Sequence, residues 1–240
     1  NKISKEEKEV ITHLIVSGNI NEKDFEAINK EFKALSYVDL RNAKYFEYSN
    51  NSEENLYVSH TGKRIIPEMA FGCDTSAQKE SESNHIDTLY LPLTTDGIGK
   101  NFSQGRTHPL VLIIPANVSE IEHEAFNGFF GSFVVDSNNE KFTSKDGILY
   151  DKLMKRLIRC PQSKTGKIDI ASTVISIDEM AFKDCKGLTY INLPVSITKI
   201  GEYAFENCTS LETIIIPEGV KYLKWGTFDN CSGLKSVLFP

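Results

Sequence analysis

A chain of 240 residues, 40% of them hydrophobic, is long enough to bury a substantial core as one or two domains. Its formal charge of -6 lacks the basic footprint of a nucleic-acid binder. No stretch approaches the roughly 18 to 20 apolar residues that span a bilayer, so no transmembrane segment is expected. Five cysteines, an odd number, disfavour a complete disulfide framework.

In chain order, Ser4-x-x-Glu7 is a capping box that opens a short leading helix. Ile11-x-x-Leu14-x-Val16 and Leu35-x-x-Val38-x-Leu40, 24 residues apart, read as two equivalent strands. Between them Asn21 caps a helix whose Phe25, Ile28 and Phe32 share one face, so residues 1–34 form a cap and first repeat. Residues 41–85 form an irregular, loop-rich repeat with polar stretches at Ser49–Glu54 and Ser76–Asn84. Within it Ile66–Phe71 echoes Ile177–Phe182. Leu89-Tyr90-Leu91-Pro92 and Leu112-Ile113-Ile114-Pro115 are 23 residues apart, each a strand followed by proline. Residues 132–164 interrupt the period: Ile148–Tyr150 and Leu157–Arg159 read as a β-hairpin, expected as a strand pair added to the side.

Residues 165–240 carry the most regular signal. Thr165–Cys185, Leu188–Cys208 and Leu211–Cys231 align at a spacing of 23 residues, a period that marks a solenoid. In the middle repeat the inward residues are Leu188, Ile191, Leu193, Ile197, Ile200, Ala204, Phe205 and Cys208. The alternation at Ile191 and Leu193 is that of a strand, and Pro194 ends it. The later spacings of three and four predict a short helical return. A single such repeat cannot bury its apolar set, so stacking is obligatory. Phe182, Phe205 and Phe228 should form a buried column beside Cys185, Cys208 and Cys231. Stacked cysteines stand about 5 Å apart, too far for an unstrained bridge, and no histidine accompanies them at ligand spacing. They read as small core hydrophobes.

These residues resemble a known family, the BspA-type leucine-rich-repeat surface proteins of anaerobic bacteria. The likeness rests on Leu188-Thr-Tyr-Ile-Asn-Leu-Pro…Ile200-Gly-Glu-Tyr-Ala-Phe-Glu-Asn-Cys208 and on Asp146-Gly-Ile-Leu-Tyr-Asp…Leu157-Ile-Arg-Cys-Pro161. It covers nearly the whole chain and departs from the pattern at Phe102, one position early, and over residues 41–85. The resemblance implies an α/β leucine-rich-repeat solenoid over residues 1–240, with short parallel strands. It also implies a secreted or surface-anchored protein of a kind used in adhesion.

Two columns of strand residues point away from the core. One reads His13, Tyr37, Thr88, Val111, Lys167, Tyr190, Thr213, Ser236; the other Ile15, Asp39, Tyr90, Ile113, Asp169, Asn192, Ile215, Leu238. Recurrent exposed apolar and aromatic residues can mark an interaction site, although such residues also simply suit strands. The candidate partner-binding surface is therefore Tyr37, Tyr90, Ile113, Tyr190, Asn192, Thr213, Ile215 and Leu238. Asp136-x-Asn138-x-Glu140 fails the calcium-loop pattern at Lys141 and Gly147 and reads as a turn. Lys152, Lys155, Arg156, Arg159, Lys164 and Lys167 form a basic run, read as charge along an exposed edge strand. No Gly-x-Ser-x-Gly, paired Cys/His or metal-ligand spacing occurs, so no catalytic residue, metal or cofactor is expected. The expected partner is a protein or glycan on another cell or matrix, with a structural spacer as the alternative. The chain stops one strand into a further repeat, so that end is either exposed or stacked end-to-end on another molecule.

Overall fold

The computed structural model describes residues 3–45, 64–68, 70–72, 85–106 and 108–239. The polar stretches Ser49–Glu54 and Ser76–Asn84 lie outside them. The chain divides into two compact units, 1–130 with 135–140 and 131–134 with 141–240.

The first unit opens with α1 (Lys5–Val10), β1 (His13–Ile20) and α2 (Glu22–Glu31). The predicted caps are present. Ser4 Oγ accepts from Glu7 N at 3.2 Å while Ser4 N donates to the Glu7 carboxylate at 2.7 Å. Asn21 Oδ1 accepts from Lys23 N at 2.8 Å, and Asp24 reaches back to Asn21 N at 2.8 Å. Each pair satisfies amides that the first helical turn leaves open. Phe25, Ile28 and Phe32 are buried, as their shared face requires. The unit continues with β2 (Tyr37–Tyr45), β3 (Ile65–Ile66), β4 (Thr88–Tyr90), β5 (Gly97–Ile98), β6 (Leu110–Ile114) and β7 (Glu120–Ile121). Strands β1, β2, β4 and β6 pair in that order, all parallel, while β3, β5 and β7 form a second parallel row. Val38, Leu89 and Leu112 are matched in register and fully buried between the rows. A chain of ring contacts, Phe25–Phe71–Phe102–Phe126, runs through the core at 5.5–6.4 Å. Phe102 therefore takes the ring slot despite standing one residue early.

The second unit contains β8 (Gly131–Val135, its first four residues), β9 (Phe142–Lys145), β10 (Ile148–Asp151), β11 (Arg156–Arg159), β12 (Thr165–Asp169), β13 (Ser176–Ile177), β14 (Gly187–Asn192), β15 (Lys199–Ile200), β16 (Thr213–Ile215) and β17 (Ser236–Leu238). One row, β12-β14-β16-β17, is parallel; the other, β15-β13-β11-β10-β9, is mixed, parallel from β15 to β11 and antiparallel from β11 to β9. All eight inward positions of the repeat starting at Leu188 are buried. Phe182, Phe205 and Phe228 stack at 5.2 and 5.3 Å, with Phe228, on the last turn described, half-buried. Cys185 and Cys208 of the ladder are core, Cys231 is half-buried against it, and the described cysteines are free thiols. Cys208 Sγ donates to Phe182 O at 3.2 Å and Cys231 Sγ to Phe205 O at 2.9 Å.

Two expectations are corrected. The returns are not helical: among the described residues only α1 and α2 are helices, and each return of the regular repeats is a two-residue strand or extended segment followed by turns. Met180, Tyr203 and Gly226 share one repeat position, Asp184, Asn207 and Asn230 another, and all six have φ between 53° and 63°. A right-handed helix cannot pass through left-handed residues. The return amides bond instead across turns, as in Phe182 N to Ala204 O at 2.7 Å and Phe205 N to Thr227 O at 2.9 Å. A spacing of three and four suits such turns as well as it suits a helix.

The second correction concerns residues 132–164. Strands β10 and β11 are antiparallel as expected, but they are not a pair hung on the side. Strand β9 pairs antiparallel with β10, and β11 runs parallel to β13, putting Leu157, Ile177 and Ile200 in one register. Cys160 N donates to Ala181 O at 2.7 Å, the bond that Phe182 and Phe205 make one and two turns on. The end of the interruption is thus itself a turn of the solenoid.

Candidate binding surface on the strand face

The parallel register places each candidate residue in its expected column, unit by unit. In the first unit Tyr37 pairs with Thr88 and His13, and Tyr90 lies between Asp39 and Ile113. In the second, Tyr190 pairs with Thr213 and Thr213 with Ser236; Asn192 pairs with Asp169 and Ile215 with Leu238. Asn192, Ile215 and Leu238 are exposed, whereas Tyr37, Tyr90, Ile113, Tyr190 and Thr213 are half-buried against their neighbours. Asn192 Nδ2 donates to the Asp169 carboxylate at 2.8 Å, fixing one polar pair across the sheet.

The first unit gathers a cluster that the columns alone did not reveal. His13 and Tyr37 stack at 5.4 Å, Tyr37 and Tyr90 meet at 5.6 Å, and the Arg41 guanidinium lies 4.4 Å above the Tyr90 ring. Arg41 grips Asp39 as a fork, with Nε at 3.0 Å from Oδ1 and Nη2 at 2.6 Å from Oδ2. Asp39 is only 4% exposed. Hydrogen bonding from Arg41 holds its carboxyl below the ordinary range, so it remains charged. Burial, with Asp39 and the Tyr90 hydroxyl next to it, pushes the Tyr37 phenol up and keeps it protonated. Arg41 lies two residues beyond Asp39 on one strand, so the period of two was a usable signal. It was missed because the repeat columns end at Asp39.

The second unit adds a cleft of about 480 Å³ beside Ile215. Leu193, Val195, Ile216, Pro217, Glu218 and Lys221 line it.

The basic run is divided: Lys167 stands on β12, the end strand of its row, whereas Arg156 and Arg159 do not lie on an edge. Strand β11 lies inside its row, between β10 and β13. Arg156 pairs with Asp178 at 2.9 Å, and Arg159 is buried with its Nη1 donating to Met180 O. Burial pulls the Arg159 guanidinium below its usual value. Asp136 caps a turn, its Oδ1 accepting from Asn138 N at 2.8 Å. Among the described residues no three His, Cys, Asp or Glu side chains gather as a metal site, and no helix is long and apolar enough to cross a membrane.

Parallel strands stacked at a fixed period, with two rows facing a closed core, define a leucine-rich-repeat solenoid protein. Residues 160–240 match the family described as a BspA type leucine-rich repeat region, in six copies, and this repeat region belongs to that family. Three solved structures are similar. A leucine-rich repeat protein from Eubacterium ventriosum shares 20% identity with a TM-score of 0.56, over 96% of this chain and 60% of that one. A leucine-rich cell surface protein from Faecalibacterium prausnitzii shares 16% identity with a TM-score of 0.48, over 95% and 83% of the two chains. The pneumococcal vaccine antigen PcpA shares 15% with a TM-score of 0.44, over 93% and 68%. The first likeness shows the fold, and the chain spans 60% of that protein's length. No curated protein matches the chain.

Proposed function

We propose that the chain is a non-catalytic interaction module, presented outside the cell, that binds a protein or glycan through the strand face of its solenoid units. The observation that carries this reading is the Tyr37–Tyr90 contact in the first unit, held by His13 and Arg41 on an exposed face. Rigid aromatic side chains lose little entropy on binding, and tyrosine and arginine dominate the energetics of interfaces. The match of residues 160–240 to the BspA type repeat family supports an extracellular location. Repeats of this family present surfaces rather than chemistry, which supports a non-catalytic role.

The test is a panel of immobilised matrix proteins, cells and glycans probed with wild-type chain and with Tyr90→Ala and Tyr190→Ala. Loss of a central aromatic contact of about 2 kcal/mol lowers affinity about 30-fold. Wild-type binding that both variants retain in full removes the strand face from consideration. The spacer reading draws support from Lys167, Thr213 and Ser236, ordinary polar residues in one column of the second unit. It predicts no binding by wild type to any member of the panel.

A further inference from the structure

The first unit's face discriminates between classes of partner. Its eight column residues are His13, Tyr37, Thr88, Val111, Ile15, Asp39, Tyr90 and Ile113, of which Asp39 is the only carboxylate. That carboxylate is buried and both its oxygens are engaged by Arg41. The Arg41 side chain is 47% exposed. The pair is therefore an oriented dipole, negative end inside and guanidinium outside. An approaching group meets the positive end, even though the pair is formally neutral. The phenols and the imidazole add donors around it.

A sugar ring is recognised on an aromatic side chain largely by stacking on an open ring face. Here the Tyr37 ring is stacked with His13 and the Tyr90 ring is covered by the Arg41 guanidinium. A pyranose stacking on either of these covered faces would have to displace the contact already there. A carboxylate approaching Arg41 displaces neither, since Nη1 is not used in the fork to Asp39. Arginine offers five N–H donors in a planar fork, so a second acceptor can be added beside Asp39.

We propose that the ligand of the first unit's strand face is an acidic protein segment, its carboxylates meeting Arg41 and its backbone or side chains meeting Tyr37, Tyr90 and His13. This rests on the strand-face reading above and narrows it from protein or glycan to protein. The face then works as a donor-rich recognition patch built on β1, β2 and β4.

The experiment measures binding of the whole chain to three probes: a capped Asp/Glu-rich peptide, heparin and dextran. The acidic peptide is expected to bind, more weakly as salt rises. The double variant Asp39→Asn with Arg41→Gln removes the guanidinium without stranding a buried carboxylate and is expected to bind at least about tenfold more weakly, as loss of a charged hydrogen bond implies. Tyr90→Phe, which keeps the ring, gives a severalfold loss and serves as the readout if the double variant melts early. Three results overturn the proposal: no binding of the acidic peptide, peptide binding that neither variant weakens, or binding confined to heparin or dextran. If Tyr90→Ala abolishes adhesion to a matrix protein while the acidic peptide never binds, the acidic class falls and the strand-face reading survives.

Discussion

Replacing Phe205 with alanine is expected to destabilise the second unit by about 3–5 kcal/mol. Phe205 is 0% exposed and lies between Phe182 and Phe228, its ring tilted only 19° and 10° from theirs. Removing a ring from such a stack leaves a cavity that cannot close easily. Each flanking ring is fixed by its own turn, and the turns are tied by backbone bonds such as Phe205 N to Thr227 O. Phe228→Ala is the internal control, because a half-buried ring with one covered face forfeits less. Urea unfolding measures both. A Phe205→Ala curve that superposes on wild type would refute the ring register.

Gly201→Ala is the second large effect, expected to cost at least about 1–3 kcal/mol through overpacking. A Cβ at this position would lie 2.3 Å from Glu179 N and 2.5 Å from Asp178 C. These are backbone atoms of the neighbouring turn, so no rotamer change relieves the contact. Retreat of the turn would strain the bonds from Gly201 N to Ile177 O at 2.9 Å and from Asp178 N to Leu157 O at 3.0 Å. The equivalent residues one turn back and one turn on are Asp178 and Lys224, so the glycine is not repeated in the neighbouring turns. Thermal unfolding reads the effect, and an unchanged midpoint would show that the turns are further apart than described.

Those two positions mark what the sequence does and does not make legible. Phe205 is obvious from the repeat, because burial of one residue per turn leaves a periodic apolar mark. Gly201 is not, because close backbone approach leaves no trace in composition. The outward columns were readable for the same reason as the core: a strand alternates with period two, and a parallel stack preserves register. The returns were misread because a two-residue strand and a turn space their apolar residues as a helix does. The left-handed residues that exclude a helix include Tyr203 and Met180, whose types carry little turn signal. The turn ending at Cys160 was hidden by its length: Leu157 to Cys160 spans three residues where Ile177 to Phe182 spans five. Within the candidate site the tyrosines were visible, whereas Arg41 stands outside the repeated columns and gains meaning only from the Tyr90 ring on β4, the next strand of its row.

Thiol reactivity tests the inside–outside assignment, on which both the core and the binding surface depend. Cys160, Cys185 and Cys208 are buried, and burial raises the Cys160 and Cys208 thiols above their ordinary range, which keeps them protonated and unreactive at mildly alkaline pH. Asn192→Cys and Ile215→Cys would place thiols on the exposed strand column. In the folded protein a disulfide-exchange reagent is expected to label the two introduced cysteines at once and the three buried ones only after unfolding. Rapid labelling of Cys185 and Cys208 in the native state, with protection at positions 192 and 215, would contradict the register and the strand face together.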